Sequence, residues 1–274
     1  MPSVGPGRAL VLAHYHSSGL LRTDTCQLVR AAQEYFRRIV LVSTRLELSE
    51  IGKLPEGVRV FVRDNIGYDF YSYRLGIACL ADDAADFAGL SELALVNTSF
   101  LCVDGRRFFQ RLFEHEQHYP DCFGVVKSHE VQEHIQSYVV VLRRHVFMDP
   151  AVQHWWSSMI PISERSHVIL NYEIGLSRLL ATLGYRLDAA FDHVGRRSEE
   201  FVRRFGEPGA QPMEQIAPAL NPSHFFWRDL LQQFGILKIE VFKSNPFRLD
   251  LAPLESLADA DPRIGELVLE GQKN

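Results

Sequence analysis

The sequence is poor in cysteine, has no long apolar run and carries no excess of basic charge, and each absence excludes a class of protein. Its four cysteines are far apart and form no Cys-x-x-Cys pair, which argues against a disulfide framework and a zinc site. No stretch approaches the ~20 apolar residues of a membrane-spanning helix. The formal net charge of −5 provides no basic field for a nucleic acid, so we expect no nucleic-acid partner.

The beginning of the chain does not fit a secretory signal. Residues 1–8 contain one basic residue and no long apolar core before a cleavage site. We therefore expect a cytoplasmic protein. Scattered arginine pairs are compatible with peripheral association at the inner face of the cell membrane, although such pairs more often belong to a solvated surface.

Short apolar runs alternate with helical patterns over the first 100 residues, and this alternation predicts βαβ units with a parallel sheet. A length of 274 residues suits one large α/β domain. Strands are predicted over 9–14, 38–43, 58–62, 93–97, 123–127, 136–143 and 185–189, and the first three are read as buried. Helices are predicted over 23–37, 71–80, 82–89, 108–116, 150–159, 167–184 and 221–235. The fold class is therefore α/β, with a mixed, mainly parallel sheet flanked by helices.

The composition changes after residue 192, where Arg, Glu, Gly and Pro become frequent. We predict one catalytic and nucleotide-binding domain over residues 1–194. Residues 195–274 are predicted to form a C-terminal loop and helical extension that packs on the same domain. Within this extension we expect a loop over 195–222 and a loose tail over the last 20 residues.

The most informative stretch is the polar turn at 63–76, which connects a strand to a helix. Asn65 and Gly67 suit a turn that needs positive φ or a close approach of the backbone. In open α/β sheets, ligands bind at the carboxyl ends of strands, next to helix N-termini. An ordinary strand-to-helix connection explains this turn equally well when it is considered alone. The candidate ligand-binding residues of the turn are Asp64, Asn65, Gly67, Asp69 and Arg74.

Polar side chains also follow the first and fourth predicted strands, at 14–16 and 97–99. Such groups suit contacts with a phosphate or a base, although plain loops are the alternative. The neutral oxygens at 97–99 are weak ligands for Mg²⁺, so a bound diphosphate would need positive charge from Arg74, the histidines or helix N-termini. The candidates at these two strand ends are His14, Tyr15, His16, Asn97, Thr98 and Ser99.

A third polar group surrounds Glu173, beside the apolar run of the helix predicted over 167–184. A partly desolvated carboxyl in this place can be tuned as a general base. A solvent-facing Glu that complements the helix dipole is the alternative, and for an isolated Glu it is the stronger one. The polar loop around His129 and His134 is placed to shape an acceptor pocket, and no histidine belongs to a metal-spaced motif such as HExxH.

The order of these segments resembles a GT-A type glycosyltransferase, and more closely the rhamnan synthesis F family of bacterial polysaccharide enzymes. The resemblance covers about residues 8–250. The combination of NIGYDFYSYR with QSYVVVLRR and YEIGLSR is specific, because uncommon strings follow one another in the right order. The segments that carry the resemblance are AHYHSSG (13–19), RIVLVST (38–44), RDNIGYDFYSYRLGI (63–77), LALVNTSF (93–100), HIQSYVVVLRRHVF (134–147), NYEIGLSRLLATLGYRL (171–187), NPSHFFWRDLL (221–231) and KSNPF (243–247).

This resemblance implies a GT-A-like (Rossmann-like) fold and an inverting transfer of L-rhamnose from dTDP-L-rhamnose to a growing surface polysaccharide, an O-antigen or a rhamnan. The turn at 63–77 then lies beside the nucleotide diphosphate, and Glu173 is the general base. The implied partners are a nucleotide sugar and a glycan or lipid-linked glycan acceptor. The donor-binding set comprises the strand-end and turn residues given above, and the acceptor-binding set is His134, Gln136, Tyr172 and Arg178.

One position departs from the family pattern. Residues 97–99 fall where such enzymes place metal-binding carboxylates, and Thr98 stands where the family more usually has Asp. We therefore name no metal-binding residue and no cofactor beyond the nucleotide-sugar donor. The missing carboxylates favour a rival hypothesis, a non-catalytic nucleotide- or carbohydrate-binding module of a glycan-assembly complex. A third hypothesis is an unrelated nucleotide-binding α/β domain.

Overall fold

A seven-stranded mixed sheet forms the centre of the protein. The computed structural model describes residues 7–114, 120–191, 199–206 and 220–273. The strands in these ranges are β1 (Arg8–His14), β2 (Arg38–Ser43), β3 (Val58–Val62), β4 (Glu92–Asn97), β5 (Phe100–Cys102), β6 (Cys122–Gly124), β7 (Lys127–Ser128), β8 (His134–Ile135), β9 (Val139–Arg143), β10 (Leu187–Ala189) and β11 (Ile236–Lys238).

The strand order of the main sheet is β10-β6-β9-β4-β1-β2-β3. Strands β3, β2, β1 and β4 are parallel, whereas β9 lies antiparallel between β4 and β6, and β10 is parallel to β6. Two small antiparallel pairs, β5–β11 and β7–β8, lie outside this sheet. The predicted α/β fold class, with a mixed, mainly parallel sheet, is confirmed.

Helices cover both faces of the sheet. They are α1 (Thr23–Ala32), α2 (Leu48–Ile51), α3 (Tyr68–Ala81), α4 (Ala84–Ala88), α5 (Gly105–Glu114), α6 (Arg144–Phe147), α7 (Pro150–Ser157), α8 (Arg165–Val168), α9 (Ile174–Thr182), α10 (Glu199–Phe205), α11 (Pro222–Phe225), α12 (Trp227–Phe234), α13 (Ile239–Lys243), α14 (Ala252–Ala260) and α15 (Pro262–Gln272). A π-helical turn, Ile169–Glu173, connects α8 to α9.

Alternate residues of the central strand β1 supply two separate cores, as the period of two in a strand requires. Leu10 and Leu12 join a core that includes α1, α5 and the aromatic residues of α11 and α12. Val11 faces the other core, formed with α3, α7 and α9. Helix α3 lies so close to β1 that a Cβ atom added at Gly76 would be 2.2 Å from Val11 Cγ1.

The C-terminal part differs most from the prediction. The expected loose tail over the last 20 residues is wrong, because α14 and α15 occupy it and bury Leu254 and Leu267 in the first core. The Asp261 side chain caps α15 by accepting from the backbone N–H of Arg263 at 3.0 Å. Helix α10 falls inside the segment 195–222, which was expected to be a loop. The predicted domain boundary at 194–195 lies outside the described residues, and so do residues 207–219.

Other predicted elements are divided or shortened. The helix expected over 221–235 is interrupted at Phe226, whose φ of −109° and ψ of 29° are not helical. The strand expected over 136–143 begins only at Val139. The three residues before Val139 bend instead toward the carboxyl ends of the strands, where they contribute to the candidate site.

Candidate active site

Asn97 lies at the carboxyl end of β4 and organises the polar groups there. Its backbone N–H donates to the carbonyl of Tyr138 at 3.1 Å. Its side-chain Oδ1 accepts from the backbone N–H of Ser99 at 3.0 Å and from Ser99 Oγ at 2.6 Å. Its Nδ2 donates to Asp69 Oδ2, 2.5 Å away on the first turn of α3. One amide side chain therefore joins the end of β4 to the start of α3.

A buried ion pair fixes the turn that follows Asn97. Arg22 and Asp24 pair at 2.8 Å, and each side chain is 2% exposed. The same guanidinium donates to the carbonyls of Thr98 and Phe100, at 3.1 and 2.9 Å. Thr98 Oγ1 accepts from the backbone N–H of Tyr15 at 3.3 Å. The ends of β1 and β4 are thus held together by hydrogen bonds, which makes the position of 97–99 rigid.

Glu173 reaches the same place from the face of the sheet that α3 also covers. It closes the π-helical turn before α9, and such turns occur often at functional sites. Its Oε1 accepts from the backbone N–H of Ser137 at 2.8 Å and lies 3.8 Å from His134 Nε2. Its side chain is 17% exposed, so the carboxyl is mostly desolvated.

Burial raises the pKa of Glu173 to about 7. The hydrogen bond from Ser137 opposes this rise, the negative charge of Asp69 adds to it, and the positive charge of Lys238 again opposes it. The pKa of Asp69 is also raised, chiefly by burial, and the hydrogen bond from Asn97 opposes that rise. Two carboxyls with raised pKa values thus interact within one cluster of polar side chains.

Tyr73 connects α3 to the segment that holds Glu173. Its hydroxyl donates to the carbonyl of Ser137 at 2.8 Å, and the whole side chain is buried. Ser137 in turn donates its backbone N–H to Glu173, and the next residue, Tyr138, accepts from Asn97. Helix α3, the end of β4 and the Glu173 turn therefore converge on one short segment before β9.

Lys238 completes the cluster and was not predicted from the sequence. It lies at the end of β11, where it pairs with Phe100 of β5. Its Nζ donates to Ser99 Oγ at 2.7 Å and lies 4.3 Å from the centre of the Tyr138 ring. Burial lowers the pKa of Lys238, while Glu240, Glu173 and Asp69 oppose that lowering. A short apolar run around one lysine, ILKI at 236–239, was the available signal for a strand here.

Comparison with known proteins identifies the family of this chain. Residues 39–215 match the family described as rhamnan synthesis protein F. The chain belongs to this family. Virulence protein VirA of Vibrio anguillarum is 24% identical over 221 residues, which cover 76% of this chain and 70% of VirA. Membership of the rhamnan synthesis F family supports a glycosyltransferase of polysaccharide synthesis.

Solved structures of low identity resemble the chain only in fold. The glycosyltransferase GlyE of Streptococcus pneumoniae TIGR4 is 12% identical with a TM-score of 0.43, over 97% of this chain and 63% of GlyE. The mannosyltransferase PcManGT of Pyrobaculum calidifontis, in complex with GDP-Man and Mn2+, is 10% identical with a TM-score of 0.39, over 100% of this chain and 88% of that one.

Among the described helices, none combines the length and apolarity needed to cross a bilayer.

The remaining donor candidates of this family member lie around the cluster rather than in it. His14 is buried, its Nδ1 is 2.8 Å from Ser43 Oγ, and burial lowers its pKa to about 3. His16 is also buried and accepts from the backbone N–H of Ser18 at 3.1 Å. Asp64 and Asn65 are exposed in the turn before α3. Gly67, with a φ of +72°, precedes the first residue of α3, as its expected role in the turn requires.

Four other candidates make contacts elsewhere. Arg74 donates to the carbonyl of Ser157 on α7 at 3.3 Å. The Tyr172 hydroxyl is bonded to both backbone groups of Ile160. Arg178 is exposed on α9. Gln136 donates to Asn221 Oδ1 at 3.2 Å and accepts from Ser223 Oγ. Of the predicted acceptor residues, His134 is the one in contact with the Glu173 carboxyl.

The oxygens at the end of β4 do not fit a divalent cation. Asn97 Oδ1 already accepts two hydrogen bonds, Ser99 Oγ accepts from the Lys238 ammonium, and Asp69 Oδ2 accepts from Asn97. Divalent cations of this kind prefer carboxylate oxygens that are free to coordinate. Within the part of the chain that the structure describes, no group of three His, Cys, Asp or Glu side chains is arranged as a metal site.

Proposed function

We propose that the protein transfers L-rhamnose from dTDP-L-rhamnose to a growing bacterial surface polysaccharide, an O-antigen or a rhamnan, with inversion at the anomeric carbon. One observation carries the proposal: a carboxyl whose pKa is raised to about 7, Glu173, lies at the carboxyl ends of the parallel strands, where α/β sheets bind ligands. Family membership supports the polysaccharide acceptor and the choice of rhamnose.

The proposed reaction needs one base on the side of the sugar opposite the leaving group. Glu173 takes the proton of an acceptor hydroxyl, and the acceptor oxygen forms a bond to the anomeric carbon. The bond from that carbon to the diphosphate oxygen breaks, and dTDP leaves with the electron pair. A base with a pKa near the working pH is half ionised there, yet it binds the proton firmly enough to remove it from a hydroxyl.

The surroundings of Glu173 suit this role. The backbone N–H of Ser137 donates to Oε1 of Glu173. Ser137 is itself held in place, because its carbonyl accepts a hydrogen bond from the Tyr73 hydroxyl. The carboxyl therefore has a defined direction before the acceptor arrives, which reduces the entropy lost on reaching the transition state. In this proposal the acceptor is a glycan or a lipid-linked glycan, and the protein acts in the cytoplasm, peripherally at the inner face of the membrane.

The test is the Glu173→Gln variant, which keeps the shape of the side chain and removes the base. We expect the rate of rhamnose transfer to fall by about 10²–10⁴-fold while dTDP binding is kept, because general base catalysis contributes about that factor. Glu164→Gln is the matched control, since Glu164 is exposed just before α8. A near-normal transfer rate in Glu173→Gln removes Glu173 from the mechanism, and binding without any transfer in the native protein favours the non-catalytic module.

A further inference from the structure

Lys238 lies just beyond the carboxyl end of β4, where its ammonium contacts Ser99 and interacts with the charges of Asp69 and Glu173. We propose that the Lys238 ammonium binds the diphosphate of the nucleotide-sugar donor and stabilises the charge of the leaving group in place of a divalent cation. This inference rests on the proposed function, because it concerns the donor of that same site. It differs from the expectation that Arg74 provides this charge, since Arg74 contacts α7.

The hydrogen bonds at the end of β4 support an ammonium rather than a metal ion. Ser99 follows β4 by two residues, and its hydroxyl oxygen accepts from Lys238 Nζ at 2.7 Å. The side-chain amide of Asn97 belongs to the same network, since its Oδ1 accepts from Ser99 Oγ and its Nδ2 donates to Asp69 Oδ2. The segment 97–99 thus has neutral oxygens that can accept from a cation but no carboxylate to offset a double charge.

The position of Lys238 also suits contact with a diphosphate. The lysine ends β11, so its backbone is held by the pairing with β5, and its charge lies over the Tyr138 ring at 4.3 Å. The residue as a whole is partly exposed, although burial is the main influence on the pKa of its ammonium. An ammonium has three N–H donors, and Ser99 accepts one of them, so a phosphate oxygen can accept another.

The negative charges of Asp69 and Glu173 favour a cation near a bound diphosphate. Asp69 and Glu173 both interact with Lys238, and a diphosphate that enters beside them adds further negative charge. Preorganised positive charge that faces the leaving group is worth several powers of ten in rate, because it needs no rearrangement during the reaction. Lys238 is held in this arrangement before the donor binds.

The experiment measures dTDP binding by calorimetry in EDTA and again in Mg²⁺. For the native protein we expect binding in EDTA that changes by less than about threefold in Mg²⁺. For Lys238→Met we expect dTDP binding to weaken by about 30–100-fold, while the affinity for thymidine, which has no phosphate, stays within about twofold. Lys238→Arg keeps the charge and is expected to keep most of the affinity. Lys243→Met is the control, because Lys243 is exposed on α13.

Each outcome decides the inference. A native protein that binds dTDP only with Mg²⁺ overturns it, whether or not Lys238→Met folds, and so does a folded Lys238→Met that binds dTDP normally. In both cases the proposed transferase stands, and its base is tested separately by Glu173→Gln. If dTDP fails to bind both with and without Mg²⁺, the proposed transfer from dTDP-L-rhamnose fails and the inference fails with it.

Discussion

The raised pKa of Glu173 predicts a measurable dependence of stability on pH. The pKa of this carboxyl is about 7 in the folded protein against an ordinary value of 4.5. A carboxyl with a raised folded pKa binds its proton more tightly in the folded state, so stability is highest below the unfolded pKa and falls as pH rises toward the folded pKa. The Glu173→Gln variant cannot titrate, so it lacks this loss.

The magnitude follows from the two pKa values. Each pKa unit corresponds to about 1.4 kcal/mol, so a shift from 4.5 to about 7 destabilises the ionised protein by about 3 kcal/mol. Between pH 5 and pH 8, roughly 2 kcal/mol of this loss should appear, because part of the titration of the unfolded chain lies below pH 5. The groups that face Glu173 are Asp69, Tyr73, His134, Tyr138 and Lys238.

The assay compares urea unfolding of the native protein and Glu173→Gln, followed by circular dichroism at both pH values. We expect the variant to gain about 2 kcal/mol relative to the native protein on going from pH 5 to pH 8. The comparison between the two pH values cancels the packing change that the substitution itself causes. An equal difference at both pH values refutes the raised pKa of Glu173.

Two further predictions concern the support of the site. Tyr73→Phe leaves the buried carbonyl of Ser137 without its partner, so we expect a loss of about 1–3 kcal/mol in urea unfolding and a lower transfer rate; unchanged stability would contradict the role of Tyr73. Gly67→Ala brings a Cβ to 2.7 Å from Tyr71 Cβ at a φ of +72°, whereas Gly57→Ala has a φ of +87° and open space. Gly67→Ala should therefore destabilise by about 1 kcal/mol or more beyond the Gly57→Ala control, and equal effects would show that crowding is unimportant.

The middle of the central sheet could be predicted because β1, β2 and β4 each contain a continuous apolar run. Strands β2 and β3 have the predicted bounds, since Arg37 and Thr44 flank the first and Gly57 and Arg63 flank the second. The C-terminal helices could not be predicted from position alone, because chain ends are usually loose unless side chains attach them. Here Glu270 of α15 accepts hydrogen bonds from the backbone and side chain of Thr23, and Leu267 is buried.

The candidate site could be predicted in part by the rule that ligands bind at the carboxyl ends of parallel strands. That rule selects Asn97 and the start of α3, which the structure brings together. The rule alone does not say which of Asp69 and Arg74 faces the site. Helix geometry does, because two side chains five residues apart on a helix point to different sides. Tyr73, four residues after Asp69, shares its side and reaches Ser137.

Lys238 lay beyond this kind of reasoning because it follows Ser99 by 139 residues and belongs to a strand outside the main sheet. Its charge nevertheless couples the two proposed steps of the reaction. Lys238 lowers the pKa of Glu173 and Asp69 raises it, so the ammonium that would hold the diphosphate also adjusts the base. When the diphosphate arrives, its charge opposes that of Lys238 and favours protonation of Glu173. Donor binding and proton removal are thus linked through one lysine, and an acceptor hydroxyl meets a base whose affinity for a proton increases once the donor is bound.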